Sequence, residues 1–396
     1  MDFPGNPPAS KLPLVGTTIF TEMSALAAEC GALNVAQGFP DLEPPAALRG
    51  AVARAMEAGA NQYAPMAGNL RLREWIAADY AQRTGCTYHP AEEITIGAGA
   101  SSVLFAAIMA LVSEGDEVII MEPAYDLYAP VVRLAGGTVR RLERTLPDYG
   151  LDYQGLRTML SRHTRMVVVN SPHNPTGATW GREDLEELHR CLDGSDAIVL
   201  SDEVYGPIVH DGREALSAAH HPQLAARTLI AGSFGKVLHA TGWKIGWLAG
   251  PAALMAEVRK VHQYDVFSTG APFQAGIAEF LTQEAGQTHL AELAQTYTSL
   301  RDRLCDGLRD TAWSFTPAEG GYFQVLDYAA FQTGADQDVA RKWTRAPHGI
   351  ATIPLSSFYD PSHPSRNEST RIRVCFAKQP DTLDQAIERL RRLAES

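Results

Sequence analysis

Short apolar runs alternate with longer, helix-like stretches through the middle of the chain. Runs that are continuously apolar are typical of strands buried on both faces, and helices between them indicate a mostly parallel sheet. We therefore expect an α/β fold with helices on both faces of the sheet. The predicted strands are 93–97, 117–121, 138–142, 166–170, 197–200, 228–231 and 245–249, and the predicted helices between them include 102–113, 129–134 and 182–191.

The pattern changes in the last third of the chain. A long charged helix is predicted over 290–309, followed by strands at 321–326 and 370–376 and an amphipathic helix at 383–393. This order is typical of a smaller α+β domain. We predict three segments: an N-terminal arm and part of the small domain (1–45), a large ligand-binding domain (46–288), and the rest of the small domain (289–396).

Composition excludes several classes of protein. The 396 residues are 45% hydrophobic, and 46 acidic against 34 basic side chains give a net charge of -12, which argues against a nucleic-acid surface. The longest apolar run, 103–112, is about half of a membrane span. Five scattered cysteines, never in Cys-x-x-Cys spacing, predict neither a disulfide framework nor a metal site. With no export leader at the N-terminus, we expect a cytoplasmic protein.

In open α/β sheets, ligands bind beyond the carboxyl ends of the strands, so the residues that follow each strand carry the chemistry. After the first strand, the small residues 97–102 open a helix, where free N–H groups attract an anion such as a phosphate. Taken alone, these residues are explained better by an ordinary tight turn. They also form half of a dinucleotide-binding fingerprint.

Two further strand ends carry an amide, a carboxylate and a phenol. Asn174 lies in the rigid turn Asn170-Ser-Pro-His-Asn-Pro-Thr-Gly177, which has a purely structural interpretation too. Asp202 follows a buried strand, where a carboxylate either caps a helix or meets a cation, and Tyr205 lies three residues later.

Three cations complete the set. Lys236 lies in a glycine-flanked turn after the strand at 228–231, and Lys244 follows eight residues later. Arg373 lies in an apolar strand of the small domain. A buried arginine needs an anionic partner, which is either an acidic side chain of the protein or the carboxylate of a substrate.

Together these groups match pyridoxal phosphate acting on an α-amino acid. A lysine forms a Schiff base with the cofactor aldehyde, and a carboxylate keeps the pyridine nitrogen protonated so that the ring accepts electrons. The phenol and the amide bond the ring oxygen, and the arginine holds the substrate carboxylate.

The sequence also resembles the fold-type I, class I aminotransferases over nearly its whole length, and is most similar to the methionine aminotransferases and their kynurenine (glutamine) relatives. The class motifs are Asn34-Val-Ala-Gln-Gly-Phe-Pro-Asp41, Asn61-Gln-Tyr-Ala-Pro65, Asn170-Ser-Pro-His-Asn-Pro-Thr-Gly177, Ser201-Asp-Glu-Val-Tyr205, Ser233-Phe-Gly-Lys236 and Thr241-Gly-Trp-Lys-Ile-Gly246. Residues 17–27, 261–264 and 353–358 carry the narrower likeness.

The resemblance implies a role for each residue around the pyridoxal phosphate ring. Lys236 would bind the cofactor and move the proton, Asp202 would pair with the ring nitrogen, and Tyr205 and Asn174 would bond the ring oxygen. Tyr125 would stack on the ring face.

The resemblance also assigns the phosphate and the substrate. Ala100, Ser101, Ser233 and Lys244 would bind the phosphate, and Tyr63 would reach the phosphate of a neighbouring subunit, which implies a homodimer with shared sites. Gly38, Asn174 and Arg373 would bind the substrate carboxylate. Lys244 departs from the family, because many relatives have arginine there, so a point charge replaces a bidentate fork.

We therefore expect a transaminase that moves an amino group between an L-amino acid and a 2-oxo acid by a ping-pong mechanism. Methionine is the expected donor, with aromatic amino acids and glutamine next, because the segments around Phe20, Tyr63 and Tyr125 are apolar and aromatic. Three alternatives stay open at this point. They are a cysteine-S-conjugate β-lyase using the same cofactor, a cofactor-binding regulator on the same fold, and a nucleotide-dependent dehydrogenase.

Overall fold

A central sheet of seven strands organises this computed structural model, which describes residues 9–363, 366 and 368–395. Its order is β2-β8-β7-β6-β5-β3-β4, and within it only β8 runs antiparallel to its neighbours. The strands described are β1 (Leu33–Asn34), β2 (Ile94–Ala98), β3 (Glu117–Glu122), β4 (Thr138–Glu143), β5 (Thr164–Asn170), β6 (Ile198–Asp202), β7 (Thr228–Ser233), β8 (Ile245–Ala249), β9 (Phe323–Asp327), β10 (Ile350–Ala351), β11 (Ile353–Pro354) and β12 (Arg371–Cys375).

The central strands are continuously apolar because both of their faces are covered. On β3, Val118 and Ile120 point into one hydrophobic core, whereas Ile119 and Met121 point into another. Such alternation is the consequence of the two-residue period of a strand. The predicted α/β fold, with a mostly parallel sheet between helices, is confirmed.

Helices cover the two faces in separate groups. The side chains of α4, α5 and α10 pack in one core, and those of α2, α3 and α11 pack in the other. The helices described are α1 (Ile19–Cys30), α2 (Ala46–Glu57), α3 (Leu70–Thr84), α4 (Gly99–Leu111), α5 (Tyr128–Leu134), α6 (Tyr153–Met159), α7 (Arg182–Leu192), α8 (Pro222–Ala225), α9 (Phe234–Val237), α10 (Ala252–Asp265), α11 (Ala271–Thr282), α12 (Glu284–Leu308), α13 (Asp336–Thr344) and α14 (Pro380–Glu395).

Two small sheets lie outside the central one. Strands β11, β12 and β9 form an antiparallel sheet in which Arg373 is the register partner of Val325. The early strand β1 pairs in parallel with the late strand β10, so segments far apart in sequence meet. The predicted division into three segments stays a prediction. Helix α12 runs without interruption across its second boundary, between positions 288 and 289.

Within the described residues, no helix is long and apolar enough to cross a membrane. In the same part of the chain, no three or more histidine, cysteine, aspartate or glutamate side chains are grouped as metal ligands would be.

Candidate active site

A cavity of about 340 Å³ lies at the carboxyl edge of the central sheet, where β2, β5, β6 and β7 end. The parallel direction of these strands brings residues from four separate loops together, and β12 adds an arginine from the small sheet. Of the twelve residues predicted for the site, the cavity wall contains eleven: Gly38, Ala100, Ser101, Tyr125, Asn174, Asp202, Tyr205, Ser233, Lys236, Lys244 and Arg373.

Lys236 lies on α9, directly after β7. Its Nζ donates a hydrogen bond to the Gly38 carbonyl (3.0 Å) and faces the rings of Tyr205 and Tyr322 at 5.6 and 5.7 Å. Burial lowers the pKa of this lysine to about 8. Roughly a tenth of the amine is then neutral at pH 7, far more than for an ordinary lysine, and the neutral form is the nucleophile.

Asp202 ends β6 and is buried. Its Oδ2 accepts a hydrogen bond from the Tyr128 hydroxyl (2.6 Å), and its Oδ1 accepts one from the Val204 N–H (3.3 Å). Burial raises the pKa of the carboxyl, and the Tyr128 hydrogen bond opposes that rise. No cation of the described residues forms an ion pair with Asp202 within 4.0 Å, so its charge is available to a cationic group in the cavity.

Arg373 is only 1% exposed, yet the described residues offer it no ion pair. Its Nη1 donates to Asn174 Oδ1 (2.7 Å), its Nη2 donates to the Ala36 carbonyl (2.9 Å), and its Nε has no partner in the described part of the chain. The guanidinium lies 3.9 Å from the ring centre of Phe323. Burial lowers the pKa of Arg373 to about 10. Of the two partners open from sequence, the geometry favours an external anion.

The turn after β5 orients Asn174. Asn170 accepts a hydrogen bond from the Asn174 N–H (2.8 Å) through its side-chain oxygen, and its amide donates to the Asp202 carbonyl (2.7 Å). One buried asparagine therefore links two predicted site residues. This connection fixes the Asn174 amide beside Arg373 and Asp202, which is more than a structural turn requires.

A candidate anion-binding site lies where α4 begins. It is formed by Gly99, Ala100, Ser101, Ser233 and Lys244 and is called the anion cup below. Gly99 has a φ of 73°, and a Cβ added there would lie 3.2 Å from Lys244 Nζ, so the ammonium lies against the start of the helix. No side chain caps this end of α4. A positive helix end, a lysine and the hydroxyls of Ser101 and Ser233 in one wall suit a phosphate. Tyr125 also lines this wall.

Tyr63 is the twelfth predicted residue and lies outside the cavity wall. Its side chain is 84% exposed, and its ring packs edge-to-face against that of Phe267 at 5.7 Å. Its contact with a neighbouring subunit stays a prediction.

The sequence reasoning missed Tyr128, Asn170 and Tyr322. Tyr128 begins α5, three residues after Tyr125, and its ring packs edge-to-face against that of Tyr125 at 5.7 Å; its closeness in sequence to Tyr125 was the available signal. Asn170 stands inside a quoted motif but was treated as part of a turn. Tyr322 gave no signal, since only the fold brings it to Gly38.

Comparison with known proteins gives consistent results. The family model of aminotransferase class I and II matches residues 31–390. Methionine aminotransferase of Escherichia coli (strain K12) is 43% identical over 386 residues, covering 98% of each chain. A probable N-succinyldiaminopimelate aminotransferase of Mycobacterium tuberculosis is 38% identical, also covering 98% of each chain. The kynurenine–oxoglutarate transaminase of Dictyostelium discoideum is 32% identical, covering 98% of this chain and 96% of the relative.

A solved structure agrees with these relatives. The structure of YbdL from Escherichia coli superposes with a TM-score of 0.93 at 43% identity, covering 98% of this chain and all of the other. The resemblance stated from the motifs is therefore confirmed at the level of the family.

Proposed function

This chain belongs to the class I and II aminotransferases, and from that premise we propose a pyridoxal-phosphate enzyme that takes the amino group of an uncharged, bulky L-amino acid. The transaminase activity follows from the family. The residue roles, the cofactor in this chain and the preferred donor are proposals. The observation that carries them is Arg373, a buried cation with an unpartnered Nε, which lines the same cavity as Lys236 and Asp202.

Class I aminotransferases depend on pyridoxal phosphate in general, and the groups in this cavity fit it. When bound, the cofactor supplies an aldehyde that condenses with amines and a ring that withdraws electrons from the amino acid Cα. Asp202 would hold a proton at the ring nitrogen, which compensates its own buried charge. Tyr205 and Asn174 would bond the ring oxygen, and Tyr125 would cover the ring face. The phosphate would contact Ala100, Ser101, Ser233 and Lys244 at the start of α4.

Lys236 would act as the proton carrier. Its lowered pKa leaves the amine ready to accept a proton from the substrate Cα near neutral pH and to return it at the cofactor. Arg373 would bind the substrate carboxylate beside Asn174 and the backbone at Gly38. The carboxylate would satisfy the guanidinium Nε, so binding supplies the counter-charge that the protein omits.

The cavity wall favours an uncharged side chain. Among its described residues the cations are Lys236, Lys244 and Arg373, all with a role in the proposed chemistry, so none is left for a second carboxylate. Phe20, Leu104 and Phe323 add apolar surface. Methionine is therefore our proposed donor, followed by aromatic amino acids and glutamine. The names of the methionine and kynurenine relatives support this order.

The site assignment is tested by reducing the loaded enzyme with borohydride and mapping the labelled peptide. The label should be on Lys236, and the Lys236→Ala variant should bind cofactor without forming the stable adduct or turning over. Lys244→Ala is the matched control, because it should weaken cofactor binding yet still label Lys236. A label on Lys244 in the unmodified enzyme would overturn the assignment.

The donor preference is tested with a panel of amino acids and a fixed 2-oxo acid acceptor. We expect kcat/KM for methionine to exceed that for aspartate by at least tenfold. Aspartate reacting faster than methionine contradicts the proposed pocket. Release of pyruvate and ammonia from a cysteine S-conjugate without any acceptor would support β-lyase chemistry instead.

We also propose a cytoplasmic homodimer with shared sites. An exposed aromatic patch formed by Tyr63, Tyr264 and Phe267 supports a second copy as the partner, since their exposed fractions are 84%, 87% and 46%. The five cysteines are all free, which is consistent with a reducing compartment.

A further inference from the structure

The carbonyl oxygen of Gly38 accepts hydrogen bonds from two side chains that come from different parts of the fold. One donor is Lys236 Nζ at 3.0 Å, from α9 beside the central sheet. The other is the Tyr322 hydroxyl at 2.8 Å, from the residue that precedes β9 in the small sheet. Tyr322 is completely buried. A backbone oxygen thus joins the proposed catalytic amine to a phenol with no assigned role.

In the described part of the chain, no other hydrogen bond reaches the peptide group between Gly38 and Phe39. The backbone on either side is held, because the Gln37 N–H donates to Asn34 Oδ1 and the Phe39 carbonyl accepts from Lys378 Nζ. The backbone hydrogen bonds of the segment stop at Val35, which pairs with Ala351 and Cys375, and resume at Asp41, which pairs with Ala377. Gly38 packs closely, since an added Cβ would lie 2.9 Å from the Phe323 ring, but a ring contact does not orient a carbonyl. In the described part of the chain, Lys236 and Tyr322 are the donors to this oxygen.

We propose that Tyr322 is a positioning residue that holds the Gly38 carbonyl in place as a fixed acceptor for the free ammonium of Lys236. The inference rests on the proposed function, in which the Lys236 amine alternates between the cofactor and its free form. Each time the amine leaves the cofactor, it needs an acceptor at the same place, because a displaced lysine would lose its geometry for proton transfer.

Removing the Tyr322 hydroxyl has two opposing effects on the hydrogen bond between Lys236 and Gly38, and the larger effect decides the direction in which the pKa of Lys236 moves. Two donors on one oxygen weaken each other by only a fraction of a hydrogen bond. Without the Tyr322 hydroxyl the Gly38 carbonyl can turn away, and the charge-assisted hydrogen bond that it accepts from the Lys236 ammonium then weakens by more than that fraction. Tyr322→Phe removes the hydroxyl and keeps the ring that faces Nζ. We therefore expect the pKa of Lys236 to fall below its value of about 8.

The other titratable groups around this lysine keep their identity in that variant, but the Tyr205 ring packs edge-to-face against the Tyr322 ring at 5.0 Å and so loses a neighbouring hydroxyl. They are Asp202 and Cys375, which raise the pKa of Lys236, and Lys244 and Arg373, which lower it, together with the phenol of Tyr205 that faces the amine. A shift in the pKa of Lys236 would then report the loss of the Tyr322 hydroxyl, which bonds the Gly38 carbonyl.

The test measures how fast the full-length cofactor-free chain captures pyridoxal phosphate between pH 6.5 and 10, followed by absorbance. In the unmodified chain the rate should rise with pH and level off near pH 8, as the neutral amine becomes the major form. In Tyr322→Phe the plateau should begin half a pH unit to one unit lower. Tyr297→Phe is the matched control, because Tyr297 is also buried, its ring lies 5.5 Å from that of Tyr322, and its hydroxyl has no partner in the described part of the chain.

A pH curve of Tyr322→Phe that coincides with that of Tyr297→Phe, or moves to higher pH, overturns the proposal. A second measurement is a double-variant cycle of Tyr322→Phe and Lys236→Met in urea unfolding at pH 7, where the two effects should not add. Additive effects would also overturn it. Absence of capture at Lys236 in the unmodified chain contradicts the proposed function instead, so the two failures are distinguishable.

Discussion

At the scale of single residues, the cavity contains two buried charges, those of Asp202 and Arg373, and neither has an ion-pair partner in the described part of the chain. Such charges destabilise a fold unless hydrogen bonds or a ligand compensate them. Here each has neutral donors or acceptors only: Tyr128 and Val204 for the carboxylate, Asn174 and Ala36 for the guanidinium. The proposed ligands would supply both missing counter-charges, a cationic ring nitrogen for Asp202 and a carboxylate for Arg373.

The first prediction concerns Arg373. Arg373→Met should lower kcat/KM for the amino acid by about a hundredfold or more, because a charge-assisted contact with the carboxylate is worth about 3 kcal/mol. The free energy of unfolding should change by less than about 1 kcal/mol, since removing a buried unpaired charge offsets the loss of its two hydrogen bonds. Steady-state kinetics and urea unfolding measure the two effects.

Arg371→Met is the matched control on the same strand, because Arg371 is ion-paired with Asp327 and lies outside the cavity wall. It should leave kcat/KM within about threefold. Equal kinetic losses in both variants would show that β12, and not the Arg373 charge, is responsible.

The second prediction concerns the hydrogen bond from Tyr128 to Asp202. Tyr128→Phe removes a donor that lowers the pKa of Asp202, so that pKa should rise further. In the proposed function the ionised carboxylate would pair with the protonated ring nitrogen, so affinity would be lost as pH falls through the pKa of Asp202. The loss should therefore begin at a higher pH in the variant, and at pH 7 we expect affinity about tenfold weaker.

Titration of the cofactor-free chain with pyridoxal phosphate at several pH values measures this effect. Tyr125→Phe is the comparison, because it removes a hydroxyl from the ring that packs against Tyr128 at 5.7 Å, while the hydrogen bond from Tyr128 to Asp202 remains. If the affinity of the unmodified protein and that of Tyr128→Phe begin to fall at the same pH, the role of Tyr128 is refuted.

At the scale of secondary-structure elements, the shape of the anion cup depends on how closely β8 approaches the start of α4. A Cβ added to Gly246 would lie 2.5 Å from the Ala100 nitrogen and 2.8 Å from the Gly232 carbonyl oxygen. These are backbone atoms, which cannot move aside as a side chain can. The absence of a side chain at Gly246 therefore lets the strand and the helix N-terminus meet where the phosphate is proposed to bind.

The third prediction follows from this contact. Gly246→Ala should lower the free energy of unfolding by about 3 kcal/mol, because the added methyl forces β8 and α4 apart. Gly242→Ala, four residues earlier, meets nothing within 4 Å and should change it by less than about 0.5 kcal/mol. Urea unfolding compares the two, and equal stabilities would contradict the close packing.

The elements show what a single sequence can and cannot predict. The strand predicted at 245–249 matches β8 in full, and that predicted at 117–121 ends one residue short of β3, because each contains a run of apolar residues bounded by polar or small ones. Helices α2, α3, α10 and α11 were not predicted, since their alanines and mixed faces give a weak period. The local site motifs were identified at strand ends. The link from Tyr322 to Gly38 could not be, because it spans 284 positions in sequence and depends on the tertiary fold.

At the scale of the whole molecule, Tyr63 provides the fourth prediction. If the protein is a homodimer, its mass in solution is twice 42.9 kDa. If Tyr63 also serves the partner's site, hybrid dimers of Tyr63→Ala and Lys236→Ala chains contain one fully intact site. Such mixtures should recover activity that neither parent has.

The contrary outcome is equally clear. If Tyr63 acts within its own chain, every site of the hybrid carries one defect and mixing restores nothing. Light scattering gives the mass, and the mixing experiment measures activity after the two variants exchange subunits.

The pairing of β1 with β10 has a consequence for how the molecule is made. Asn34 finds its strand partner Ala351 only after about 300 further residues have been synthesised, which takes roughly 15–60 s at the usual rates of translation. The central sheet, with Lys236 and the cup at α4, leaves the ribosome first. Arg373 and the neighbours of Gly38 come last. During biosynthesis, the residues of the proposed cofactor site are therefore all made before Arg373, the proposed contact of the amino acid carboxylate.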